Sequence, residues 1–151
     1  MKDIKKILLA TDFSDISKKA LETVVYLKEN LGSSVDVIHV FDPTAFEMPA
    51  PYYFMPGVEQ WVDEHFSGMR DKGRSALNDL LPELGGEAHA HFLEGKPGKT
   101  IVRFAEENGF DLIVMGTHGH SGLNHLILGS VAEYVVRHAP CGVLTIKGEK
   151  P

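Results

Sequence analysis

The chain has one cysteine, Cys141, in 151 residues, which excludes an internal disulfide framework and a multi-cysteine zinc site. Long apolar runs are also missing. After the charged start Met1-Lys2-Asp3-Ile4-Lys5-Lys6, the run Ile7–Ala10 is too short for a signal segment or a membrane span, so a cytoplasmic protein without membrane association is expected. Basic charge is in deficit, with 15 Lys and Arg against 21 Asp and Glu and a net charge of −6. That balance argues against a nucleic-acid groove, yet leaves room for a single nucleotide held by backbone amides. There is no internal repeat or linker, so one domain over residues 1–151 is expected.

What is present alternates between two patterns. Ile7–Ala10, Val35–Phe41, Leu112–Met115 and Val143–Ile146 are short, continuous and rich in Ile, Val and Leu, as strands buried on both faces are. Glu87–Glu94 alternates instead, with Ala88, Ala90 and Phe92 on one face and His89, His91 and Leu93 on the other, a pattern an edge strand tolerates. Ser14–Leu31 places Ile16, Ala20, Leu21, Val24, Val25 and Leu31 on one helical stripe, and Gly32 supplies a stop. Val58–Leu84 carries Val58, Trp61, Val62, His65, Met69, Ala76, Leu77, Leu80 and Leu84 at helical spacing, with Gly68 and Gly73 as points of bending or breakage. Lys99–Asn108 predicts a shorter helix. Ser130-Val131-Ala132-Glu133 matches a capping box, and Pro140 closes the helix that follows. The order β-α-β-α-β-α-β-α-β with right-handed crossovers predicts an α/β fold: a doubly wound, parallel, five-stranded sheet, Rossmann-like, with helices on both faces.

The most informative stretch is Gly116-Thr-His-Gly119-His-Ser-Gly-Leu-Asn-His-Leu-Ile-Leu-Gly129-Ser130. It joins a buried strand to a helix N-terminus, where unpaired N–H groups and the macrodipole favour an anion. Glycine lets ligand oxygens approach the main chain, and a nucleotide phosphate is the expected guest. The other irregular stretch, Asp42–Gly57, holds Pro43, Pro49, Pro51 and Pro56 among Phe46, Tyr52, Tyr53 and Phe54. It follows the second strand at the sheet end where ligands bind, as a lid, a docking surface or a segment pinned to the sheet edge.

Gly116-x2-Gly119-x9-Gly129-Ser130 resembles the signature of the universal stress protein family, whose ATP-binding members share Gly-x2-Gly-x9-Gly-Ser/Thr. The likeness covers nearly the whole chain. Ile7-Leu8-Leu9-Ala10-Thr11-Asp12-Phe13-Ser14 resembles the family's first strand and turn, and Ile38-His39-Val40 its second strand. Leu126-Ile127-Leu128-Gly129-Ser130-Val131 and Ala139-Pro140-Cys141 resemble its closing blocks. The resemblance implies strand order 3-2-1-4-5, and with it a ligand beyond Ala10, Thr11 and Asp12 on one side and Met115 to Gly119 on the other. It further implies that Val40's backbone meets the adenine edge between Ala10 and Met115, with Asp12 near base, ribose or a phosphate-bound metal. Gly116 and Gly119 would pass the ribose and phosphates beside His120, while Gly129, Ser130 and Val131 offer N–H groups to the phosphate tail. ATP, or AMP or ADP, is the implied ligand, and any Mg²⁺ or Mn²⁺ would arrive with it. The implied assembly is a homodimer through Val143, Leu144, Thr145 and Ile146, an apolar edge that also needs covering on physical grounds. Relatives often carry Arg near positions 118 and 120. His118 and His120 stand here, and neutral imidazole grips phosphate less well than guanidinium.

Other motifs are decoys. Gly95-Lys96-Pro97-Gly98-Lys99-Thr100 ends like a Walker A loop, but position 93 is Leu and Pro97 removes an amide. The pair His89 and His91, and the set His118, His120 and His125, lack a carboxylate at familiar ligand spacing, so loop and edge-strand histidines are expected rather than a metal site. Cys141 has no evident base partner and is expected to pack as a small buried residue. The function expected is a nucleotide-dependent regulatory protein of the stress response, with slow ATP hydrolysis at most. The alternatives are a nucleotide-dependent enzyme on a related sheet and a dimeric interaction module with an empty crevice.

Overall fold

The computed structural model describes residues 3–118 and 128–148. Strands β1 (Lys6–Ala10), β2 (Ser34–Phe41), β3 (His89–Glu94), β4 (Leu112–Gly116) and β5 (Gly142–Ile146) form a parallel sheet in the order β3-β2-β1-β4-β5. Ile7 faces Val35 across one ladder and Leu112 across the other. Alternation along β1 sends Ile7 and Leu9 into one core and Leu8 and Ala10 into the other. A central strand with two buried faces has no polar side to show, which is why the run is continuous. The edge strand β3 keeps the expected alternation, with Ala90 and Phe92 against the first core.

Helices α1 (Asp15–Leu31), α2 (Val58–Asp79) and α3 (Leu81–Leu84) cover the first face. Helices α4 (Pro97–Glu107) and α5 (Ser130–His138) cover the second. The Ser14 hydroxyl caps α1, accepting from the Ser17 amide at 3.3 Å. At its far end Gly32 turns left-handed at φ 66° and donates to the Lys28 carbonyl. Leu31, placed on the helical stripe by its spacing, is the last residue of the helix and is exposed.

The long helical pattern 58–84 breaks at neither glycine. Helix α2 runs through Gly68 and Gly73, and a Cβ at Gly73 would stand 2.7 Å from the Phe92 ring. The break falls at Leu80, since Pro82 has no N–H for the Asn78 carbonyl four residues back and its ring would strike that group. Trp61, His65 and Met69, which share that helical spacing, are exposed. The buried residues of α2, Gly73 and Leu77, lie in its C-terminal half. The N-terminal half rests on loop 42–57, where Phe46 meets Trp61, His65 and Phe66. Two short 3₁₀ turns, Pro43–Ala45 and Ala50–Phe54, shape that loop.

Two helix starts differ from the sequence reading. Helix α4 begins at Pro97 rather than Lys99, using a residue whose missing N–H costs nothing at a first position. The capping box of α5 does not form. Gly129 is the N-cap, which makes Ser130 the first helical residue, and no side chain caps the helix. Glu133 instead pairs with Arg137 one turn on, at 2.5 Å. Among the described residues no helix is long and apolar enough to cross a membrane.

Candidate functional site

Beyond the carboxyl ends of β1 and β4 the sheet opens into a cleft of about 230 Å³. Its walls include Ala10, Thr11, Asp12, Val40, Met115, Gly116, Gly129, Ser130 and Val131. Gly119 and His120, the other two candidate site residues, lie outside the described residues, as do His125, Leu126 and Ile127.

The turn leaving β1 is tightly wired. The Thr11 amide continues the ladder, donating to the Ile38 carbonyl at 3.0 Å. Its hydroxyl accepts from the Phe13 amide at 3.0 Å. Phe13 takes φ 65°, a left-handed conformation rare outside glycine, and its ring lies 4.5 Å from that of His39. Asp12 Oδ1 accepts from the Ser14 amide at 3.0 Å and from the Ser17 hydroxyl at 2.6 Å. Asp12 thus braces the entry to α1, while Ser14 is the cap.

His39 was not among the candidate site residues, yet it lines the cleft. Its Nδ1 lies 2.8 Å from the Thr11 carbonyl, which only accepts, so Nδ1 carries the proton. Burial holds this imidazole below its ordinary pKa of 6.5, against the Thr11 carbonyl and then Asp12, which both favour the charged form. The main-chain bonds on either side decide where Val40 points. Ile38 bonds toward β1 through Thr11, and Phe41 toward β3 through Gly95. Alternation sends Val40's N–H and C=O to the β1 side, where the β1–β2 ladder has already ended at Ala10 and Ile38.

At the other wall, Thr117 donates to Ile146 at 2.9 Å and accepts from the Gly129 amide at 2.7 Å. That second bond corrects one expectation: the Gly129 N–H closes the base of the loop and is not offered to a ligand. The first-turn amides of Ser130, Val131 and Ala132 have no acceptor within the helix, as geometry requires of any helix start, and these three residues line the cleft. Packing also fixes the glycines here. A Cβ on Gly129 would stand 2.9 Å from the Thr117 carbonyl oxygen, and one on Gly116 2.6 Å from Ile16 Cγ2. Beside them His118 hydrogen-bonds Thr117 Oγ1 through Nδ1 at 2.9 Å. Its Nε2 is buried and has no hydrogen-bond partner among the described residues.

The Walker-like segment serves other ends. Gly98 is buried in α4, where a Cβ would meet Tyr134 at 2.9 Å. Lys96 turns to Asp42 at 3.2 Å and to Thr44 at 2.5 Å. Away from the cleft, the fold supplies a carboxylate that sequence spacing could not reveal. Asp36 on β2 faces His89 across the ladder and lies 2.8 Å from His91 Nε2. Among the described residues, however, no group of three or more His, Cys, Asp or Glu is arranged to hold a metal ion. Cys141 is half-buried against the second core.

Comparison with known proteins agrees with this architecture. The family model described as the universal stress protein family matches residues 3–147. Universal stress protein MJ0531 of Methanocaldococcus jannaschii is 37% identical over 150 residues, which span 97% of this chain and 84% of the relative. The solved structure of protein MJ0577 superposes with a TM-score of 0.80 at 29% identity, over 99% of this chain and 100% of the other. A universal stress protein from Archaeoglobus fulgidus, solved in complex with dAMP, superposes with a TM-score of 0.60 at 23% identity, over 97% of this chain and 100% of the other. A match along almost the full length, on a sheet wound in the order the family implies, leaves one assignment: this chain belongs to the universal stress protein family.

Proposed function

We propose that the cleft binds an adenine nucleotide, ATP or its lower phosphates, and that the protein works as a nucleotide-dependent regulator in a stress response. One observation carries the reading: three kinds of polar group without a partner among the described residues converge on one apolar-walled cleft. They are the Val40 main-chain edge beyond the end of β1, the first-turn amides of α5 and the buried Nε2 of His118. The Val40 pair matches the donor and acceptor of an adenine edge, with Ala10 and Met115 as walls. The Ser130 and Val131 amides at a helix N-terminus suit phosphate oxygens. A divalent cation would come with the triphosphate, near Asp12. The dAMP complex of the Archaeoglobus fulgidus protein supports the class of ligand on this fold. Edge strand β5 leaves Val143, Leu144, Thr145 and Ile146 only half-buried, and we assign that edge to a homodimer contact.

A second reading has its own support. Gly116 and Gly129 are both required by packing against Ile16 and Thr117, so the glycine signature also suits an interaction module whose crevice stays empty. Mass identification of whatever co-purifies, followed by equilibrium dialysis with ATP, separates the two. Saturable binding that competes with AMP is expected. No binding at millimolar ATP would overturn the nucleotide reading.

A further inference from the structure

Loop 42–57 and the start of α2 enclose a second opening of about 400 Å³, lined by Phe46, Met48, Tyr52, Met55, Val58 and Trp61. The loop is preset: Asp42 caps its first turn through the Thr44 amide at 2.9 Å, Pro49, Pro51 and Pro56 restrict its backbone, and Trp61 stacks flat on His65 at 5.1 Å. Even so, Tyr52, Tyr53, Phe54, Met55 and Trp61 are each at least half exposed. An apolar patch of pliable methionine and rigid aromatic side chains is costly to leave in water and typical of a binding surface.

Charge says what covers it. Between Lys28 and Arg70 the chain has no lysine or arginine, while Glu47, Glu59, Asp63 and Glu64 are all exposed. Glu47 lines the groove, and Glu64 stands three residues after Trp61, its neighbour on the helix surface. A second copy would set acid against acid on a chain of net charge −6, and an anionic bilayer is repelled in the same way. We propose that this groove docks a cationic amphipathic segment of a partner protein, its apolar side chains beside Trp61 and its Lys or Arg over Glu47 and Glu64. The inference does not depend on what the nucleotide cleft holds.

Trp61 is the chain's single tryptophan, so its emission reports on the groove directly. The probe is an amphipathic Leu/Lys helix of about 18 residues, five turns long, with a Leu/Glu counterpart and phosphatidylglycerol vesicles as comparators. A saturable one-to-one shift with the Leu/Lys peptide alone is expected. Glu47→Gln/Glu64→Gln should weaken it about tenfold, Met55→Asp should abolish it, and Glu29→Lys, an exposed acid on α1, should leave it within about twofold. Far-UV circular dichroism checks that each variant is folded. The proposal fails if the Leu/Glu peptide binds equally well, if Glu29→Lys weakens binding as much as the double variant, or if folded Met55→Asp binds normally. It also fails if only vesicles shift the emission, or if sedimentation shows a dimer that Met55→Asp dissociates.

Discussion

Two openings in the molecule are built from opposite material. The cleft between β1 and β4 is walled by the fold's own core: Ala10, Ile38, Met115 and Ala132 are all less than a tenth exposed. The groove of loop 42–57 is walled by Tyr52, Met55 and Trp61, each about half exposed. On the proposed reading, recognition in the first rests on main-chain groups that any residue carries, which would constrain sequence through the room a Cβ would fill. Recognition in the second rests on side chains, so the backbone only has to hold still. The same substitution should therefore cost stability in one place and binding alone in the other.

The sharpest way to break that contrast is Ile38→Ala. Truncating this fully buried side chain should cost about 2–5 kcal/mol in urea unfolding. A loss well below that would show the cleft wall to be less integral than its burial implies. Next comes Gly129→Val, whose Cβ must push against the Thr117 carbonyl. We expect destabilisation of about 1–3 kcal/mol and, by dialysis, nucleotide affinity lowered about a hundredfold, which corresponds to roughly 2.7 kcal/mol. A folded variant with unchanged affinity would place the phosphates elsewhere.

His118→Asn separates the two costs by sign. Asparagine can keep the bond to Thr117 Oγ1 while deleting Nε2, which has no partner among the described residues. The free protein should gain about 1 kcal/mol, whereas nucleotide affinity should fall about tenfold. A drop in both would assign His118 to structure alone. For His39 the lever is pH. Its folded pKa lies below 6.5, so the unfolded chain binds a proton that the folded chain refuses. Stability is then full above pH 6.5 and falls on acidification toward the lower folded value. His39→Asn should flatten that part of a melting-temperature profile, and an unaltered slope would assign it to other groups. Smallest of all, Phe54→Ser on the exposed rim should leave stability within about 0.5 kcal/mol.

What the sequence made legible was whatever one segment decides by itself. Ile7–Ala10 and Leu112–Met115 read as central strands because nothing polar interrupts them, and the structure buries both. Trp61 and Met69 share the helical spacing of Leu77 and yet are exposed, because spacing records which residues share a face, and not what that face meets. The capping box misled by a single position, since a glycine in extended conformation can cap a helix without any side-chain bond. Asp36 meeting His91 was illegible, being a product of register between two strands far apart in the chain. The cleft was legible in outline through the glycine spacing. One of its particulars, the bond that removes Gly129's amide, depends on where the chain comes back to Thr117.

Phe13 offers a last lesson in divided loyalties. Its backbone asks for glycine, the residue at ease at φ 65°, and its ring asks to stay where it shields His39. Phe13→Gly would release a torsional load of about 1–3 kcal/mol but let water reach the imidazole whose proton tethers Thr11. The bend after the first strand thus holds its strain in exchange for the ring contact that covers His39, and relieving the one would give up the other.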